Sequence, residues 1–323
     1  MTQFSSVRVF VACRLPPECR ALFSERFDAR FNERGRTLTA DELIAESAGA
    51  EVLVLTATDR LDAAAIARLS PEIRIVATYS VGHEHIDVAA ARARGLTVLF
   101  TPDVLSDACA DTAFLLMLGA ARRALESSDL VRSGTWTGWT PLQLLGRDVH
   151  GARLGIIGMG RIGRAIAKRA RGFDMPVHYH NRSRLPPEAE NGARFHPTLD
   201  GLLAESDFLC VACPASPETR HLIDAARIAQ LPQGAIIVNI ARGEVVDDRA
   251  LIPALESGRI FAAGLDVFEN EPNIAPAYRT LPNVFALPHI GSSTLETRIA
   301  MARLLVDGID ASLAGQPVPN RLV

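Results

Sequence analysis

Residues 154–167 read LGIIGMGRIGRAIA: four residues of strand character, then Gly158, Gly160 and Gly163 in the spacing G-x-G-x-x-G, then an Ala- and Ile-rich helical pattern. That order carries a mechanism. Gly158 lets the chain turn tightly out of the strand, Gly160 lets the backbone approach a pyrophosphate, and Gly163 lets the helix pack closely on the strand. Free N–H groups and the positive end of the helix dipole favour the anion. The stretch predicts a dinucleotide-binding α/β domain, with Gly158, Gly160, Arg161, Ile162 and Gly163 as its cofactor-binding turn.

The next strand, PVHYHN, ends at Asn181, where an NAD-preferring site would place Asp or Glu on the adenosine ribose hydroxyls. No carboxylate stands there. Asn181, Arg182, Ser183 and Arg184 instead offer two guanidiniums and a hydroxyl suited to a 2′-phosphate, so NADP(H) is the expected cofactor, with NAD(H) left open.

Working outward, FLCVAC, AIIVNI, AAGLDV and NVFALP join RLGIIG and PVHYHN to make six strands, the number suited to a dinucleotide-binding sheet. Upstream, VRVFVAC (7–13), EVLVLTA (51–57), IRIVATYS (73–80) and LTVLF (96–100) alternate with the helical segments ALFSERF, ADELIAES and LDAAAIARL. The fold class is α/β, with two Rossmann-like or flavodoxin-like open parallel-sheet domains and a cleft between them. Between the two series one long helix is predicted from about Leu105 to Arg132. It is followed by a Gly/Thr/Pro-rich loop, about 133–147, that holds Trp136 and Trp139. A final helix, about Thr294 to Ala314, follows the completed second sheet and is free to return to the first domain.

Three ionisable residues stand just beyond three successive late strands: Arg242 after AIIVNI, Glu271 after AAGLDV and His289 after NVFALP. Strand carboxyl ends are where an open α/β sheet binds its ligand. Reducing a 2-keto acid needs a cation to hold the carboxylate and polarise the carbonyl, and an acid to deliver a proton. Arg242 suits the first task and His289 the second, with Glu271 paired to His289 so as to favour the imidazolium.

Other readings are excluded by composition and spacing. A net charge of -3 and the absence of a basic cluster argue against nucleic acid and anionic membrane surfaces. The apolar run from Ala113 to Ala121 is far short of the roughly 20 residues that span a bilayer, and the first residues read as a strand rather than a signal peptide. Cys13, Cys19, Cys109, Cys210 and Cys213 are odd in number and scattered, which fits a reducing, cytoplasmic setting. Cys210 and Cys213 lie in a strand-like run that points them to opposite faces. His83, Glu84 and His85 do not form H-E-x-x-H, and His178 and His180 alternate along a strand, so no metal site is expected.

The blocks YSVGHEHID, TPDVLSDACAD, GTWTGWTPL, LGIIGMGRIG, VNIARGEVVD, GLDVFENEP and LPHIGSST together resemble the D-isomer-specific 2-hydroxyacid dehydrogenases, and within them the glyoxylate/hydroxypyruvate reductases, over essentially the whole chain. The resemblance implies that Arg242, Glu271 and His289 are the catalytic Arg, Glu and His. It implies that Val81 and Gly82 offer backbone N–H groups to the substrate carboxylate near Leu55, and that Cys213, Pro214, Ile240, Ala241, Asp266 and Gly291 face the cofactor. It also implies a homodimer in which the loop at 133–147 carries Trp139 into the neighbouring subunit's substrate pocket, local packing being the rival reading. Residues 1–101 and 290–323 would form the substrate domain, and 102–289 the dinucleotide-binding domain. Cys109 stands where many relatives carry Thr, and Val81 where phosphite-oxidising relatives carry Lys.

The expected activity is NAD(P)H-dependent reduction of small 2-keto acids, glyoxylate and hydroxypyruvate, to D-2-hydroxy acids. A reductase of larger acids such as 2-ketogluconate would differ in pocket volume. A nucleotide-sensing binding protein would share the fold, but the complete Arg/Glu/His set and the lack of a long disordered tail argue against it.

Overall fold

Strands Val52–Leu55 (VLVL), Leu154–Ile157 (LGII) and Phe208–Val211 (FLCV) are buried at every position. Runs that are apolar on both faces of a strand must be covered on both sides, which is the condition of a parallel sheet flanked by helices. The computed structural model describes residues 6–323, and the chain divides into two units: one runs to Leu105 and resumes over Ser292–Val323, and the other is Ser106–Gly291.

The first unit comprises β1 (Arg8–Val11), α1 (Pro17–Arg26), β2 (Asp28–Phe31), α2 (Ala40–Glu46), β3 (Val52–Leu55), α3 (Ala63–Arg68), β4 (Ile75–Thr78), α4 (Val88–Ala93) and β5 (Thr97–Leu99). Its strands are all parallel, in the order β2-β1-β3-β4-β5. Helix starts are set by capping: Thr39 and Glu42 form a reciprocal capping box at α2, and Asp62 and Asp87 cap α3 and α4. Strand β2 is absent from the sequence reading because DARF alternates exposed and half-buried positions at the sheet edge and has no apolar run to betray it.

The second unit begins with α5 (Ser106–Ala121) and α6 (Ala124–Arg132). It continues with β6 (Leu154–Ile157), α7 (Arg161–Ala170), β7 (Val177–His180), α8 (Pro187–Glu190), β8 (Arg194–Phe195), α9 (Leu199–Leu203) and β9 (Phe208–Val211). It closes with α10 (Ala225–Ile228), β10 (Ala235–Asn239), α11 (Asp248–Glu256), β11 (Ile260–Leu265) and β12 (Val284–Ala286). The parallel order β12-β11-β10-β9-β6-β7-β8 has seven strands rather than six; the extra one, β8, is a two-residue edge strand. Strand order reverses between β6 and β9, where an open α/β sheet leaves a crevice at its carboxyl end.

The single helix expected to Arg132 is instead two. Arg123 takes a left-handed conformation (φ 52°), and the Ala121 carbonyl, which would continue the helix, accepts the Arg147 N–H at 2.9 Å. The returning chain therefore ends α5. The last helix, α12 (Leu295–Leu313), is capped by Thr294, packs on α1 in the first unit and leads to a tail that bonds β5: the Leu322 N–H donates to Val98 O and the Val98 N–H to Val323 O.

Helix α5 lies hard against β11. A methyl group on Gly264 would stand 2.7 Å from the Leu116 carbonyl oxygen, so Gly264→Ala should push α5 off the sheet and cost about 1–3 kcal/mol. Denaturant unfolding checks this; an unchanged midpoint would show that the helix shifts freely.

Candidate active site

The phosphate turn is dictated by contacts within the protein. Gly158 has φ +96°, a conformation L side chains rarely adopt, and a Cβ there would lie 2.6 Å from the Cys213 backbone nitrogen. A Cβ on Gly163 would meet the Gly158 carbonyl oxygen at 2.3 Å, whereas one on Gly160 would meet nothing within 4 Å. The first and third glycines therefore join helix to sheet, and the second faces open space. Gly160 is also the N-cap of α7, so the N–H groups of its opening turn, which includes Arg161 and Ile162, lack helical partners. This cradle fits a pyrophosphate. Asn181 tethers it to β7, its Oδ1 accepting the Met159 N–H at 2.7 Å.

Beyond Asn181 the two arginines differ. Arg182 and Ser183 are exposed, but Arg184 donates from Nε and Nη2 to the buried Glu190 carboxylate at 2.8 and 3.0 Å. Arg184 is exposed as well, its side chain by 61%, and two of its guanidinium nitrogens are engaged by its own chain.

At the carboxyl ends of β10, β11 and β12, three turns present Arg242, Glu271 and His289. Glu271 Oε2 lies 2.9 Å from His289 Nδ1, and Glu271 Oε1 accepts the Phe268 N–H at 2.7 Å. Burial pushes the Glu271 carboxyl up, but the bonds from His289 and Phe268, with the nearby Arg242 charge, outweigh it and hold the group below the ordinary carboxylate range. An ionised acceptor requires Nδ1 to carry the proton, which leaves His289 Nε2 to exchange protons with a ligand. The imidazole side chain is 45% exposed. His289 itself sits at φ 56°, held there by its N–H to Asp266 O at 2.8 Å.

Two residues that shape the site, Asn239 and Gly243, escaped the sequence reading. Asn239, buried at the end of β10, accepts the Ala241 N–H and donates to Arg242 O, both at 3.0 Å, and so folds the turn that carries Ile240, Ala241 and Arg242. A polar residue closing an apolar strand was the available signal. Gly243 is equally constrained, since a Cβ on it would fall 1.8 Å from the Phe268 carbonyl carbon. Asp266, expected against the cofactor, accepts the Ile290 and Gly291 N–H groups at 2.7 and 2.8 Å and holds the turn after His289.

Cys213 and Pro214 follow β9 beside Gly158; Val81 and Gly82 follow β4 in the first unit, with Leu55 buried in β3. Trp139 is 79% exposed in the loop after α6. Cys210 and Cys213 are thiols whose pKa values burial raises to about 12 and about 11, which leaves them protonated and poorly nucleophilic. Among the described residues no group of three or more His, Cys, Asp or Glu side chains is placed to hold a metal ion, and His85 Nε2 pairs with Thr78 Oγ1 at 2.9 Å. Among the described residues no helix is long and apolar enough to cross a membrane.

The depressed Glu271 pKa fixes a pH dependence. Its contribution to stability is complete above the ordinary carboxylate pKa, about 4.3, and is lost as pH falls through the lower folded-state value. Glu271→Gln should therefore lower the unfolding temperature at neutral pH, and the difference should vanish at the acid end of a melting series. A difference that persists there would show that the carboxylate charge is not its source.

The family model for the D-isomer specific 2-hydroxyacid dehydrogenase NAD binding domain matches residues 114–291. The glyoxylate reductase of Thermococcus kodakarensis is 42% identical over 98% of this chain and 96% of its own. A Polaromonas structure assigned to the same dehydrogenase family superposes with a TM-score of 0.94 at 51% identity, over 98% of this chain and all of that one. The NADPH-dependent glyoxylate/hydroxypyruvate reductase of Sinorhizobium meliloti, solved with NADP and malonate, gives 0.88 at 34% identity, over 99% and 97%. The chain belongs to the D-isomer specific 2-hydroxyacid dehydrogenases.

Proposed function

We propose that the protein reduces small 2-keto acids, glyoxylate and hydroxypyruvate, to D-2-hydroxy acids, with NADP(H) preferred over NAD(H). The observation that carries this reading is the 2.9 Å pairing of His289 Nδ1 with the Glu271 carboxylate, beside Arg242, at the carboxyl ends of three adjacent strands. The names of relatives point to the same substrates: glyoxylate reductase at 42% identity and a glyoxylate/hydroxypyruvate reductase structure at a TM-score of 0.88.

When bound, the nicotinamide supplies the hydride. Arg242 holds the substrate carboxylate and polarises the C2 carbonyl. His289 Nε2 gives its proton to the carbonyl oxygen, and Glu271 keeps the imidazole oriented and offsets its positive charge before the proton leaves. Asp266, Asn239 and Gly243 hold the backbone of the turns, so that the donor and the cation approach one substrate in a fixed geometry. Val81 and Gly82 are assigned to the substrate carboxylate through their N–H groups. Cys213, Pro214, Ile240, Ala241 and Gly291 line the nicotinamide half of the cofactor, and the turn from Gly158 to Gly163 takes the pyrophosphate.

Arg182 and Ser183, exposed where an NAD-preferring site would offer a carboxylate, support the preference for a 2′-phosphate. A homodimer is supported by the apolar surface of one chain segment: Leu115, Leu125, Val131, Trp136, Trp139 and Leu142 are exposed, Leu142 by 80%. A second copy closing this surface would place Trp139 toward its neighbour's substrate pocket.

Initial rates of NADPH and NADH oxidation with glyoxylate, hydroxypyruvate, pyruvate and 2-ketogluconate test the reading. Fast NADPH turnover with the first two is expected, and fast turnover only with 2-ketogluconate would transfer the assignment to larger acids. His289→Ala should lower kcat by about two to four orders of magnitude while sparing cofactor binding. Turnover unaffected by that change would remove His289 from its role.

A further inference from the structure

The loop after β7 is anchored at both ends. On one side Asn181 holds the Met159 N–H; on the other the Leu185 N–H donates to Tyr179 Oη at 3.1 Å, and that hydroxyl donates to Glu190 Oε1 at 2.7 Å. Glu190 also receives both bonds from Arg184, whose guanidinium lies 5.9 Å from the centre of the Phe195 ring. Tyr179 is fully buried and Glu190 is 8% exposed. A carboxylate so placed needs its partners, since burying a charge without them is costly. Between the two anchors Arg182, Ser183 and Arg184 are exposed; Arg184 is pinned to Glu190, whereas Arg182 has only the charge of Glu218 nearby.

We propose that Glu190 is a positioning residue for cofactor selectivity: by clamping Arg184 and Tyr179 it fixes the loop so that Arg182 and Ser183 are presented to the 2′-phosphate of NADPH. This rests on the assignment of that loop to the 2′-phosphate. Arg184 then acts through Glu190, its charge balanced within the protein, and does not bind the phosphate directly. A pre-ordered loop binds with less conformational entropy to lose, and the gain falls on the ligand that carries the phosphate. NADH, which lacks that phosphate, draws little from the clamp.

The test is fluorescence titration of the purified protein with NADPH and with NADH. Glu190→Gln keeps the side-chain volume and removes the charge; Tyr179→Phe removes the hydroxyl that joins Leu185 to Glu190. Each should raise the Kd for NADPH by about three- to tenfold, the size of losing one or two ordering hydrogen bonds, and move the Kd for NADH less than twofold. Arg184→Ala combined with Glu190→Gln should weaken NADPH no more than the stronger single change, because the two act as one unit. Arg184→Lys, which can still pair with Glu190, should retain most of the affinity.

Equal weakening of both cofactors would reduce Glu190 to a structural residue and overturn the proposal. Tighter NADPH binding by Glu190→Gln would mean that Glu190 withholds Arg184 from the phosphate, and would overturn it too. Arg182→Ala separates the two levels. If it weakens NADPH selectively while Glu190→Gln and Tyr179→Phe do not, the phosphate assignment stands and the clamp falls. If it weakens both cofactors equally, the phosphate assignment falls and takes the clamp with it.

Discussion

At the point where strand order reverses, the backbones of Gly158 and Cys213 approach so closely that no methyl group fits between them. That approach governs what lies above it. The chain leaves β6 toward one side of the sheet and re-enters through β9 on the other, and the two loops diverge from a single place. Gly163 carries the same closeness into α7, whose first turn then opens over the crevice. A bulkier residue at either glycine would open the turn and lift the helix, and the anion cradle would lose its shape.

On the other side of the crevice one device recurs. A buried polar side chain at or just after a strand catches the backbone of a following turn: Asn239 for the turn of Arg242, and Asp266 for the turn after His289, while Glu271 holds Phe268. Each such bond contributes only about 1 kcal/mol net, but breaking one strands a buried polar group, so the alternatives are worse than the mean value suggests. The catalytic side chains thus inherit their precision from groups that never meet a substrate. Burial raises the Asp266 carboxyl, against the pull of the Ile290 and Gly291 N–H groups, while Glu271, facing an imidazole and an arginine, is lowered. Two carboxyls a few residues apart are driven in opposite directions by their neighbours.

Features encoded locally were legible in the sequence. The glycine spacing follows from backbone geometry over a few residues, and the strand-end positions of Arg242, Glu271 and His289 follow from counting apolar runs. What escaped is encoded by partners distant in the chain. Strands β2 and β8 are edges, where half of each strand is wet and no apolar run is required. The break after Ala121 depends on Arg147 arriving at its carbonyl, and the binding of Arg184 depends on Glu190 being folded under it. Both concern a charged or polar group whose partner is chosen by tertiary structure, which periodicity does not report. Asp266 shows the same limit: the family resemblance put it against the cofactor, but the turn it holds was not evident.

The first unit is assembled from both ends of the described chain, with α12 and the tail at Leu322 and Val323 closing on β5 after the whole of Ser106–Gly291 has intervened. During synthesis the second unit is complete as soon as Gly291 has emerged, since its seven strands come from one continuous stretch. The first must wait, with the Val98 N–H unpaired and α1 lacking the helix it packs against, until residues Ser292–Val323 have emerged. The ribosome thus delivers a nucleotide-binding body before the unit that completes the enzyme, and truncated chains should accumulate as the former without the latter.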